Sequence, residues 1–171
     1  MKVACWIDRM SEWAGKGASW LIPILILELV YDTALRYLFN APTAWSYDIS
    51  YMLYGTLFMF GAAHTLAVDK HVRIEILSNK VSLRSRAAID AICYVLFFFP
   101  TVCALLYFGA GFALKSWQLR EVSGESMWGA PIYPFKTVIP LAAVLLLLQG
   151  IAQFVRCIKL MGKGNLHDLE P

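Results

Sequence analysis

Charge is what this chain has least of: Asp, Glu, Lys and Arg make up 16% of its 171 residues, against 59% hydrophobic residues. A soluble domain of this size needs far more charge to cover its surface, so a freely soluble enzyme or carrier is excluded. Histidine is nearly as sparse, with three in all: His64 inside an apolar stretch, His71 at its boundary and His167 in the tail. A haem or quinone anchor with axial histidines on facing helices is therefore poorly supported. The four cysteines form no CxxC, and none falls on the outer side of the topology derived below. That argues against a disulfide-generating membrane oxidoreductase and leaves them as small packing residues. There is no Gly-rich phosphate loop, nucleophile constellation or metal-ligand cluster. No cofactor, metal or catalytic residue is expected, and the basic residues track topology, not nucleic acid.

Apolar length, by contrast, is abundant. Four runs, Gly17–Leu38, Ala44–Val68, Ala88–Lys115 and Pro134–Cys157, reach the about 20 residues that cross a bilayer. The expectation is an all-α integral membrane protein with four transmembrane helices in one domain over residues 17–157. An arm over 1–16 precedes it and a tail over 158–171 follows. The second and third runs exceed a hydrocarbon core of about 30 Å, so they should tilt or project. Pro23, Pro100 and Pro140 lie in or near three of the spans, where local kinks are tolerated. Eleven of the 15 basic residues lie in the arm, the middle loop, and the tail with the adjoining Arg156. By the positive-inside rule both termini face the cytoplasm.

The arm is no signal peptide, because Asp8, Arg9 and Glu12 interrupt any apolar core. Val3, Trp6, Ile7, Met10, Trp13 and Ala14 instead share one face of a short amphipathic helix. Trp6 and Trp13 suit the headgroup layer as lipid anchors.

Within the first span Glu28, Asp32 and Arg36 recur at every fourth position and stack on one face. With the N-terminus inside, Glu28 falls near the bilayer centre, Asp32 one turn outward and Arg36 at the outer boundary. Arg36 can pair with Asp32, whereas Glu28 must be protonated or face polar groups on another helix. Asp48, opening the second span, is close enough in sequence to meet Arg36 across the hairpin, and the fourth span offers Gln149 and Gln153. Two readings follow. The stripe is a helix–helix or subunit contact of a scaffold, or Glu28 is the proton carrier of a self-sufficient, small dimeric exporter. The two halves show no convincing self-similarity and no matching Gly/Pro breaks, which favours the scaffold.

The loops add detail. Asn40–Trp45 (NAPTAW) is a tight outer turn. Gly61, Ala62 and Ala63 would permit close helix approach. Ile74, Leu77 and Val81 fit one apolar face of a cytoplasmic segment lying flat on the membrane. The outer loop Ser116–Lys136, with two tryptophans and two prolines, could dock a soluble periplasmic partner, and Lys136 suits an interfacial anchor.

The ordered set RYLFNAPTAW, DISYMLYGTLFMFGAAHTLAVDKHVRIEIL and GESMWGAPIYPFKTVIPLAAVLLLLQGIAQFVR resembles the DctQ-like small membrane subunit of tripartite ATP-independent periplasmic (TRAP) transporters. The resemblance covers about residues 20–158. It rests on Tyr37 after Arg36, Trp45 with Asp48, Gly61 in Gly-Ala-Ala, His71, Arg73 and Glu75, then Glu125, Ser126 and Lys136. Asp48 stands where many members carry Glu, which keeps the charge and shortens its reach. The resemblance implies a non-enzymatic scaffold in a bacterial inner membrane, part of a sodium-coupled organic-acid importer. Its implied partners are a large elevator-type membrane subunit holding the sodium and substrate sites, a periplasmic substrate-binding protein, and membrane lipids. GESMWGAPIYPFK is similar to relatives serving monocarboxylate or 2-oxo acid systems.

Overall fold

The computed structural model describes residues 2–67 and 83–162. They form α1 (Lys2–Ser19), α2 (Leu21–Leu38), α3 (Ser46–Ala67), α4 (Leu83–Cys93), a π-helical turn at Tyr94–Phe98, α5 (Phe99–Leu119), the one-turn α6 (Tyr133–Lys136) and α7 (Val138–Gly162). One isolated antiparallel bridge pairs Val122 with Pro131. His71, Arg73 and Glu75, and the segment around Ile74–Val81 expected to lie flat, are outside the described residues.

Among the described residues three helical rods are long and apolar enough to cross a membrane: Trp6–Leu38, Ala87–Leu119 and Tyr133–Lys159. The second expected span, α3, has 22 residues, sufficient length at about 1.5 Å each for a bilayer core. Its tyrosines, hydroxyls and His64 dilute its apolar character, so composition alone does not place it with the other three.

The expected arm and first span are almost one rod. Only Trp20 interrupts them, its N–H bonding the Gly17 carbonyl at 3.2 Å. α1 is therefore carried into the bundle, where it packs on α3 and α7. The second rod, the third expected span, overruns its expected ends. It continues through Ser116–Leu119 and stops at Arg120, which adopts a left-handed φ of 47°. Pro100 cannot donate to the carbonyl one turn earlier, and the ladder adjusts just before it, where Phe99 N–H bonds Tyr94 O in π fashion.

Small residues make up the interior. Ala63, Ala142 and Ala143 are fully buried, and Ala18, Ala91, Ala113 and Ala152 nearly so, while Phe97, Tyr107 and Phe108 face outward. Close backbone approach replaces bulky apolar filling, as between membrane helices generally. Two contacts are especially tight. A Cβ on Gly15 would overlap Cβ and Cγ of His64, and one on Gly150 would overlap the Phe98 ring. That ring is in turn held edge-on by Tyr94 and Phe99, at centroid distances of 5.2 and 5.8 Å. Gly61, expected to serve such an approach, faces open space, and Ala63 is the buried position.

Candidate functional site

The charged and amide side chains gather at the two ends of the bundle. At one end, α2 turns into α3. Asn40 takes a left-handed φ of 50°, tolerable for asparagine, and the Phe39 and Ala41 N–H groups both bond Leu35 O, at 3.2 and 3.1 Å. The reversal lays α3 against the acidic face of α2. Ser46 and Ser50, one turn apart, both donate to Glu28, the latter at 2.5 Å. Thr43 offers its hydroxyl and its N–H to Asp32, which also accepts from Arg36 at 2.9 Å. Glu28 and Asp32 are the buried residues of α2. The stripe thus faces α3, and Glu28 sits opposite the first turns of that helix.

Asp48 does not meet Arg36. It is 2% exposed and accepts from Ser123 Oγ at 2.6 Å and from Ser126 Oγ, both in the loop between α5 and α6. Next to this contact Lys136 is buried, not a surface anchor. Its ammonium bonds Glu121 at 2.5 Å and lies 3.9 Å above the Phe112 ring. Tyr31 stacks on Trp45 at 6.0 Å, while Tyr37 is exposed.

The ammonium of Lys136 holds the Glu121 carboxyl below its ordinary value of 4.5. A folded pKa depressed in this way contributes stability that is complete above the ordinary value and is lost as pH falls through the lower folded one. Acidification below the ordinary value should therefore loosen the α5–α6 segment while both neighbouring helices persist. Limited proteolysis across a pH series checks this with an acid-active protease. Cleavage between Glu121 and Lys136 is expected to rise only at the acid end, and Glu121→Gln should remove the pH step.

The opposite end joins three helices. Ser11 Oγ donates to Gln149 Oε1 at 3.0 Å, and Gln149 Nε2 donates to Asp8 at 2.9 Å. Arg156 also pairs with Asp8, and Gln153 donates to the Leu66 carbonyl near the end of α3 at 3.1 Å. Gln149 is wholly buried. It belongs to this cluster with α1 and is not a partner of Glu28.

Sequence reasoning singled out Glu28, Asp32, Arg36, Asp48 and Gln149. The structure brings Asp32 and Arg36 together, and sets the other three against Ser46 and Ser50, Ser123 and Ser126, and Ser11 and Asp8. The Ser46/Ser50 spacing was a readable signal, because it puts two hydroxyls on one face opposite an acid across a short turn. Asp8, Ser123 and Ser126 gave none, since their partners are 75 to 148 positions away.

Each of these carboxylates is an acceptor whose donors come from this chain, an arrangement that fastens helices. Among the described residues no group of His, Cys, Asp and Glu could hold a metal ion. An apolar groove runs along α5, lined by Cys103, Leu106, Tyr107, Gly111 and Leu114 with Ile139 of α7.

The fold is that of an all-helical protein with apolar rods long enough to cross a membrane. The family model described as tripartite ATP-independent periplasmic transporters, DctQ component, matches residues 25–160. The chain belongs to that family. It is the multi-pass small membrane subunit of a TRAP transporter and acts with the transporter's other components. The match begins within α2 and ends within α7, so α1 lies outside it. No curated protein matches the sequence.

Proposed function

We propose that this subunit is a passive brace for the large membrane subunit of a sodium-coupled, binding-protein-dependent importer of organic acids. The substrate class suggested by GESMWGAPIYPFK is monocarboxylate or 2-oxo acid. In this reading α3 is the fourth crossing, both termini are cytoplasmic, and Trp6 and Trp13 anchor α1 at the lipid headgroups. The observation that carries it is the state of the carboxylates. Glu28 accepts from two serines, Asp32 from Thr43 and Arg36, and Asp48 from two more serines. A coupling carboxylate must be released to exchange its proton or cation, whereas these three hold α2, α3 and the outer loop in place. Both tryptophans are exposed on α1, on the side away from the buried Ser11 and Ala18.

Two measurements test the reading. Co-purification should recover the large subunit with this chain. Glu28→Gln, which keeps an acceptor for Ser46 and Ser50, should leave recovery within about twofold, the small effect usual for hydrogen bonds between membrane helices. Reconstituted alone in liposomes, the chain should carry no flux. Proton-driven transport by the lone polypeptide, abolished by Glu28→Gln, would establish the exporter instead.

A further inference from the structure

The rod made of α4, the π-helical turn and α5 lies antiparallel to α7. Gly109 packs against Ile139, and Phe98 packs against Gly150, so eleven residues separate the two contacts on each helix. Both α4 and α5 meet α7. Along α5 the buried positions keep a seven-residue count: Val102, Gly109 and Ser116, with Ala113 four after Gly109. A seven-residue repeat keeps one stripe of a helix facing its neighbour over many turns.

Counted back towards α4, the stripe through Val102 reaches Val95 and then Ala88. The stripe through Ala113 reaches Ile92 by way of Leu106 and Phe99. Val95 and Ile92 are instead more than half exposed, and Ala88 is half-buried. The buried residues of α4 are Ala91 and Ala87, each one position earlier than the count requires. The seam has slipped by a single residue between Ala91 and Val102. The π-helical turn at Tyr94–Phe98 lies in that interval. Its hydrogen bond closes five residues back instead of four, so the turn holds one residue more than an α turn.

We propose that this turn is a phase adjuster: it stores one surplus residue, so that α4 and α5 both keep small side chains on α7. Closed up as ordinary α-helix over the same sequence, the rod would turn α4 by about 100°, the rotation of one residue. Branched Ile92 would then face α7 where Ala91 now lies. Gly150 receives the Phe98 ring and Pro100 withholds an N–H from the ladder, which fixes the turn in place from both sides. This role is internal to the chain and independent of the brace reading.

The test uses the full chain in detergent with Cys5, Cys93 and Cys103 changed to alanine, which leaves Cys157 of α7. Ala91 lies seven residues before Phe98 and Cys157 seven after Gly150, and both are buried. Ala91→Cys should therefore form a disulfide with Cys157 under copper phenanthroline. Ile92→Cys, turned about 100° away, should give roughly a tenth of that yield or less. Deleting Phe97, whose ring faces outward, removes the surplus residue and should leave the Ala91→Cys yield within about twofold. Inserting one alanine after Phe97 should cut that yield at least about tenfold and lower the thermal midpoint. An uninterrupted α-helix would respond to both changes alike, since each turns α4 by about 100°. Any result in which the deletion does no better than the insertion, aggregation of both variants included, would overturn the proposal. So would equal yields from Ala91→Cys and Ile92→Cys in the chain of unaltered length.

Discussion

A single methyl group at position 15 is expected to push α1 off α3. Inside a free helix alanine is worth about 1 kcal/mol over glycine, so Gly15→Ala would stabilise an unattached arm. In the folded chain the added Cβ would overlap Cβ and Cγ of His64. Rotation about χ1 can move the Cγ, but the Cβ is fixed by the α3 backbone and stays in the way. Overpacking of this kind costs about 1–3 kcal/mol, and here the helix axes themselves must separate, so the penalty exceeds the propensity gain. The midpoint of thermal unfolding in detergent should fall by several degrees, at about 2–4 °C per kcal/mol for a chain of this size. His64→Gly should remove most of the penalty in the double variant, because it deletes both the Cγ and the Cβ that the added methyl meets, whereas His64→Ala keeps the Cβ overlap. A higher midpoint for Gly15→Ala would mean that α1 does not rest on α3.

Gly150→Ala should be comparably damaging on the other side of α7. Its Cβ would enter the Phe98 ring, and that ring is wedged between Tyr94 and Phe99 just before Pro100. The ring can escape only by breaking those edge contacts, each worth about 0.5–1.5 kcal/mol. A double-mutant cycle with Phe98→Ala separates the effects. On its own Phe98→Ala loses packing, yet in its presence Gly150→Ala should be close to neutral, giving a coupling energy of at least about 1 kcal/mol. Additive losses would show that ring and glycine do not meet.

The helices were legible because their signal is local. Apolar length located the rods within α2, α5 and α7 to within a few residues. It fell short at their ends, since polar residues such as Ser116 and Gln118 continue α5 without registering as apolar. The i, i+4 pairing of Asp32 with Arg36 was equally local and therefore visible. What could not be read was which distant element answers each polar group. Asp48 lies twelve positions from Arg36, and proximity along the chain favoured that partner, but the α2–α3 turn aims Asp48 at a loop 75 positions on. Gln149 was grouped with Glu28 because both sit in apolar runs. The packing of α1 on α7, which no periodicity announces, places it with Asp8 and Ser11 instead. Glu28, which counting along the run places near the bilayer centre, has the first turns of α3 as its neighbours.

The alanine-lined interior makes the chain sensitive in an inverted way. Exchanging Leu, Ile and Phe along the outward faces should go almost unnoticed, because fluid acyl chains re-pack around any greasy shape. One carbon added along the inner seams has nowhere to go. The surrounding solvent supplies much of the van der Waals embrace that a water-soluble fold provides for itself, so the thermal endurance of this polypeptide should depend on the lipid or detergent in which it is measured.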